Sequence, residues 1–188
     1  MRLTKRGEYA LRTLIRLGLA ERMGRDVVSV ATLAECEKLP FKFLEQILIV
    51  LRQAGYVETR RGKQGGCRLA RPMNTIPIGE VVRLIDGRLA PIGCASETDY
   101  AACTCPDETH CGLRMLMIDV RNAIASILDR YTLADVVAVT LRKMERDGLV
   151  PKVEVAVPSR RRRGGAKMAD PADGLLSWLT GKPLLELT

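Results

Sequence analysis

The chain has 188 residues, of which 47% are apolar but only 4% aromatic, enough for one ordinary domain with an aliphatic core plus an extension. No run approaches the roughly 18 apolar residues that span a bilayer, and Arg12 and Arg16 interrupt the first apolar stretch, so neither a membrane protein nor a secretory leader is expected. The formal charge of +8 is uneven: residues 1–72 hold 15 basic against 7 acidic side chains, residues 73–150 hold 8 against 11, and a polyanion partner for the first third is expected.

Residues 8–22 place Tyr9, Leu11, Leu14, Ile15 and Leu19 near one helical face, with Arg12, Arg16 and Arg22 largely on the other. Residues 23–26 break that pattern. Ser29 suits the N-cap of a short helix that turns Leu33 and Ala34 inward. Leu39-Pro40 marks a second break, after which Phe43, Leu44, Ile47, Leu48 and Leu51 recur at helical spacing as far as Gly55. Two short alternating segments follow, 56–59 and 67–70, joined by the basic, glycine-rich stretch 60–66 that suits a hairpin. Two helices joined by a turn and followed by a hairpin predict a winged helix-turn-helix over residues 1–86, in a fold that is mainly α with a small β wing. The glycine-rich stretch lacks the Gly-Lys-Ser/Thr of a phosphate loop and no helix follows it.

Residues 76–86 read as a further helix. Residues 87–112 then lose all hydrophobic period, and four of the six cysteines crowd together as Cys94, Cys103, Cys105 and Cys111. In a reducing cytoplasm, such clustering points to a metal or cluster site rather than to disulfides. Cys36 and Cys67 lie on a helix and on a wing strand, and read as small buried hydrophobes. A long helix from Leu113 to Tyr131 carries Leu116, Val120, Ile124, Ile127 and Leu128 on one face, which predicts a partner subunit packed along it. Thr132-Leu133 caps a final helix that ends at Gly148, and residues 149–188 read as a flexible basic tail containing Arg160 to Arg163. With one histidine and no nucleophile–base constellation, nothing points to an enzyme.

Several segments together resemble the Rrf-two family of winged-helix regulators: Met1-Arg-Leu-Thr with Tyr9-Ala10, Leu44-Glu45-Gln46 with Leu51-Arg52, and Gly55-Tyr56-Val57. Arg61-Gly62 with Gly65-Gly66, Gly79-Glu80-Val81 and Thr132-Leu133 extend the resemblance over about residues 1–140. It implies a cytoplasmic homodimer that grips a pseudo-palindromic operator in double-stranded DNA, with recognition helices in successive major grooves. By the same resemblance Lys42, Glu45, Gln46 and Arg61 are base readers. Their chemistry agrees, since a carboxylate accepts from cytosine, an amide pairs with adenine, and arginine suits guanine or a narrow minor groove. Arg2, Lys5, Arg60, Lys63 and Arg68 are read as phosphate contacts.

The resemblance also implies an iron–sulfur cluster that senses iron–sulfur status, iron, nitric oxide or redox state. Cys94 matches the first ligand position, and Cys105 and Cys111 reproduce the closing Cys-x5-Cys. The first gap is longer than the family's, so Cys103 competes with Cys105 for the middle position; the two lie one residue apart, binding both to one cluster is awkward, and Cys105 is favoured. Some members take a histidine three residues after the last cysteine, where this chain has Arg114. Others take a carboxylate from the partner's first helix, matching Glu8, and His110 inside the loop is its rival. A [4Fe-4S] cluster is favoured over [2Fe-2S]. The competing reading is a zinc-structured or cluster-free regulator or adaptor that answers through thiols or a protein partner.

Overall fold

The computed structural model describes residues 3–62, 65–87 and 89–149. Six helices and one hairpin follow in chain order: α1 (Lys5–Arg22), α2 (Val30–Glu37), α3 (Phe41–Gln53), β1 (Val57–Arg60), β2 (Gly66–Leu69), α4 (Ile78–Asp86), α5 (Gly112–Arg130) and α6 (Leu133–Arg146). Single 3-10 turns sit at Met73–Thr75 and Gly93–Ala95.

Helix α1 starts three residues earlier than its apolar period suggests. Thr4 caps it by accepting from the Gly7 amide, and the Thr4 amide and hydroxyl both bond to the Asp86 carboxylate at the end of α4. Ser29 caps α2 as its residue type predicts, accepting from the Thr32 amide at 3.0 Å. Between α2 and α3, Lys38 adopts a left-handed conformation (φ 54°, ψ 46°), which reverses the chain within a few residues. Pro40 is the N-cap of α3 rather than part of its first turn.

The main core lies where α1, α2, α3 and α6 meet the hairpin. Leu14, Leu33, Leu44, Ile47, Leu51, Ile76, Leu133 and Val137 are fully buried there. Gly18 lets the last helix come close, since a Cβ on it would stand 2.8 Å from both Met73 Sδ and a Val137 methyl. Arg12 and Arg16 bridge α1 to the end of α2 through Glu37, whose carboxylate they hold at 3.0 and 2.7 Å. The hairpin pairs Val57 with Leu69 and Glu58 with Arg68, and Gly62 in its tip takes φ 112°. A second, smaller core joins Ile78, Val82, Leu89 and Tyr131.

Helix α5 differs from the rest: none of its 19 residues is buried. Its inner side, Ala125 and Leu128, packs on the small core, and Asp129 pairs with Arg83. Leu128 therefore faces its own chain, not the outward stripe to which its spacing assigns it. The stripe that remains open runs through Leu113, Leu116 and Ile127, each about half exposed, and Met115 is as exposed on another side of the helix. Thr132 and Asp135 form a reciprocal capping box that starts α6, and the Ile76 and Ile78 backbone pairs with the Tyr131–Leu133 stretch.

Candidate DNA-binding face and thiol pocket

The polar face of α3 is built by its own periodicity. Leu44, Ile47, Leu48 and Leu51 turn into the core, which leaves Lys42, Glu45, Gln46, Ile49 and Arg52 on the opposite side. These residues line a shallow groove of about 480 Å³ closed on its far side by Thr59 of β1. Lys42, Glu45 and Gln46 are all exposed there, so three of the sequence-predicted readers share one surface. Arg52 joins them and was missed as a site residue; its position seven residues after Glu45 is the signal that places it on the same face.

Arg60 and Arg61 are exposed at the hairpin tip. Arg68 is already paired with Glu58, its direct cross-strand neighbour. Lys5 pairs with Glu8 at 2.8 Å. Arg2 and Lys63 lie outside the described residues, as does the tail from residue 150 onward. The wing is held to the body by Tyr56, whose hydroxyl donates to Glu80 at 3.1 Å while the Arg71 guanidinium stacks 4.1 Å from its ring centroid. Burial, then the Glu80 carboxylate, pushes the Tyr56 phenol up from its ordinary pKa, so it stays a donor.

The second site lies between the Gly93–Ala95 turn and the start of α5. Cys94, Cys103, Cys105 and Cys111 all line one pocket of about 400 Å³, and none is in a disulfide. Cys94 is buried, Cys103 and Cys111 are half-buried, and Cys105 is exposed. Burial, followed by Cys103, raises the Cys94 pKa, whereas the Cys103 contact comes first in pushing Cys105 up to about 11. The Cys94 and Cys105 thiols therefore stay protonated at neutral pH. Among the described residues no group of three or more His, Cys, Asp or Glu side chains converges to hold a metal ion.

Two other candidate ligands stand apart from the pocket. His110 is 82% exposed, and its Nδ1 meets Asp107 at 2.8 Å. Glu8 sits in the first turn of α1, where the Lys5 hydrogen bond and then the charges of Lys5 and Arg12 hold its carboxyl below the usual range. Cys67 is fully buried in the main core, and burial pushes its thiol up to about 11; Cys36 is half-buried on α2.

Sequence reasoning did not find the groups that fasten the pocket to α5. Arg114 donates to the Cys94 carbonyl at 2.9 Å and meets Glu108 at 3.3 Å. Arg121 donates to the Ala95 carbonyl at 2.8 Å. Glu108 in turn accepts from the Tyr100 hydroxyl at 2.8 Å and from the Cys103 thiol at 3.6 Å. Only the folded chain reveals that arginines on a later helix hold main-chain oxygens beside the first cysteine.

The fold and the polar face of α3 define a winged helix-turn-helix protein. The match to a family model described as an iron-dependent transcriptional regulator, over residues 3–139, goes further: the chain belongs to the Rrf2 (Rrf-two) family. It is a transcriptional regulator, not an enzyme. An rrf2-like HTH-type transcriptional regulator of Rhodobacter capsulatus is 36% identical over 138 residues, covering 72% of this chain and 92% of that relative. The HTH-type regulator NsrR of Bacillus subtilis is 36% identical over 137 residues, covering 73% and 90%. Among solved structures, CymR of B. subtilis, titled a global cysteine regulator, matches with a TM-score of 0.60 at 27% identity over 73% of this chain and 97% of that one. IscR of T. potens matches with 0.57 at 27% identity over 80% and 93%. No helix among the described residues is long and apolar enough to cross a membrane.

Proposed function

We propose that this regulator binds operator DNA as a homodimer and senses redox state, nitric oxide or iron supply through an iron–sulfur cluster held in the thiol pocket. The observation that carries the reading is the meeting of four thiols in one concavity tied to α5 by Arg114 and Arg121. A cluster takes its thiolates on several iron atoms, and a pocket of about 400 Å³ lined by four cysteines is in keeping with such a group. Cys94, Cys105 and Cys111 are the ligands in this reading, with Glu8 of a partner subunit or a further pocket group completing the set. When bound, the cluster supplies a centre that oxygen or nitric oxide can damage.

The remaining roles fall to the chain itself. The open stripe Leu113, Leu116 and Ile127 on α5 pairs with a second copy, which places two α3 helices for successive major grooves. Lys42, Glu45, Gln46 and Arg61 read bases, while Arg60 and, with lesser reach because of Glu58, Arg68 neutralise phosphates. The pocket wall and the dimer helix move together, because the carbonyls of residues 94 and 95 are bonded to α5 side chains. Regulation then requires that filled and empty pockets hold the dimer at DNA affinities that differ.

The test is anaerobic purification followed by visible spectroscopy, iron and sulfide analysis, and native mass. A brown dimer that loses colour and changes promoter affinity on exposure to nitric oxide supports the reading. A colourless protein containing zinc, or metal-free protein whose DNA binding follows thiol oxidation alone, overturns the cluster. DNA affinity should fall with salt at a logarithmic slope of about −0.9 per phosphate neutralised.

A further inference from the structure

We propose that Cys103 is the fourth ligand, so that four thiolates of a single chain close the cluster site and no carboxylate or imidazole enters it. The inference rests on the cluster reading above and names the ligand which that reading leaves open. Three groups compete for the position. His110 is turned to solvent and held by Asp107. Glu8, which a partner copy would have to supply, is already engaged by Lys5 and Arg12 of its own helix. Cys103 alone of the three lines the pocket, alongside Cys94, Cys105 and Cys111.

The one-residue spacing of Cys103 and Cys105 loses its awkwardness in this fold. Along an extended strand their side chains would leave opposite faces. Here residues 101–105 are not a strand, Thr104 is a bend, and both cysteines line the same pocket. Glu108 accepts from the Cys103 thiol at 3.6 Å, and it has Tyr100 and Arg114 as further partners if that sulfur turns to iron. Each of the four thiols then releases one proton to solvent as its iron–sulfur bond forms, with no change in the oxidation state of any sulfur. The Arg114 guanidinium at the rim offsets part of the added negative charge.

The experiment uses the full chain, reconstituted anaerobically with iron and sulfide, as wild type and as Cys103→Ser, Glu8→Gln, His110→Ala and Cys94→Ser. Iron and sulfide per chain, Mössbauer spectra and the rate of iron loss to a chelator are read on each. Cys103→Ser should change the spectrum of one iron and speed iron loss by about tenfold or more, while Glu8→Gln and His110→Ala match wild type. A wild-type spectrum and loss rate in Cys103→Ser, or an altered spectrum in Glu8→Gln, overturns the proposal. A second measurement needs no variant: alkylation of the wild-type protein, followed by peptide mass mapping with and without the cluster. Cys103 should be shielded in the loaded protein together with the other three pocket cysteines; equal labelling in both states refutes it. If wild type takes up no cluster, or Cys94→Ser loads as well as wild type, the site reading itself fails. Loss in Cys94→Ser with none in Cys103→Ser sinks only the fourth ligand.

Discussion

The helix-turn-helix half and the cysteine half of this chain are stabilised in opposite ways. Residues of α1, α2, α3 and the hairpin fill a core with fully buried Leu14, Leu33, Leu44, Ile47 and Leu51, and their polar atoms are met by Ser29, Glu37 and main-chain groups. Beyond Ser96 the chain runs to Cys111 without a helix or strand, and the 19-residue helix after it buries nothing fully. The first half, with Leu133 and Val137 of α6 closing it, completes a core by hydrophobic burial. The second half leaves thiols and an aliphatic stripe to be covered by something else, and the proposed metal centre and second copy are what would cover them.

The sharpest way to break this contrast is to remove equal side chains from the two halves. Leu44→Ala, at a fully buried position, should cost about 2–5 kcal/mol in urea unfolding. Leu116→Ala, at a position 55% exposed, should leave unfolding of the dilute monomer within about 0.5 kcal/mol and instead raise the dimer dissociation constant seen by sedimentation. If the two variants unfold alike, α5 has a buried face in the isolated chain and the contrast is wrong.

DNA contacts come next in size. Gln46→Ala on the exposed face of α3 should cost about 1–3 kcal/mol for the preferred operator and relax one base position in a selection experiment. Arg60→Ala should weaken all sequences alike and lower the salt slope by about 1, which separates reading from positioning. Arg68→Ala should change that slope less, because Glu58 already holds its charge.

The link between the halves should respond to Arg114→Gln. Loss of the bond to the Cys94 carbonyl and of the Glu108 pair is expected to hasten iron loss from the pocket while leaving the affinity of the empty protein for DNA unchanged. Parallel chelator and binding assays check it. The smallest effect lies at a cap. Thr132→Ala breaks the capping box that starts α6 and should cost about 1 kcal/mol, measured as a lowered melting temperature.

Most of the helix-turn-helix was legible from residues alone. The spacing of Leu44, Ile47, Leu48 and Leu51 specifies which side of α3 is buried, and Lys42, Glu45 and Gln46 follow as its exposed side; the role of base readers came only from the family resemblance. Ser29 and the Thr132 cap were equally plain, because capping is a matter of local hydrogen bonds. Helix α1 was read too short: Thr4 as its cap gains from Asp86, which is 82 residues away and contributes nothing to a local pattern. The spacing of Leu128 matched the outward stripe, yet the small core formed by α4 and Tyr131 draws it inward.

The chain's own order of residues determined the winged helix-turn-helix, its basic half and the identity of the cysteines, since periodicity, charge and residue type are local properties. Tertiary structure decided that the four cysteines share a pocket, that His110 turns to solvent beside Asp107, and that Arg114 and Arg121 fasten the pocket to α5. A segment without hydrophobic period carries no record of its own path. Its shape comes from long-range hydrogen bonds made by the helix that follows, and those exist only once the chain has folded.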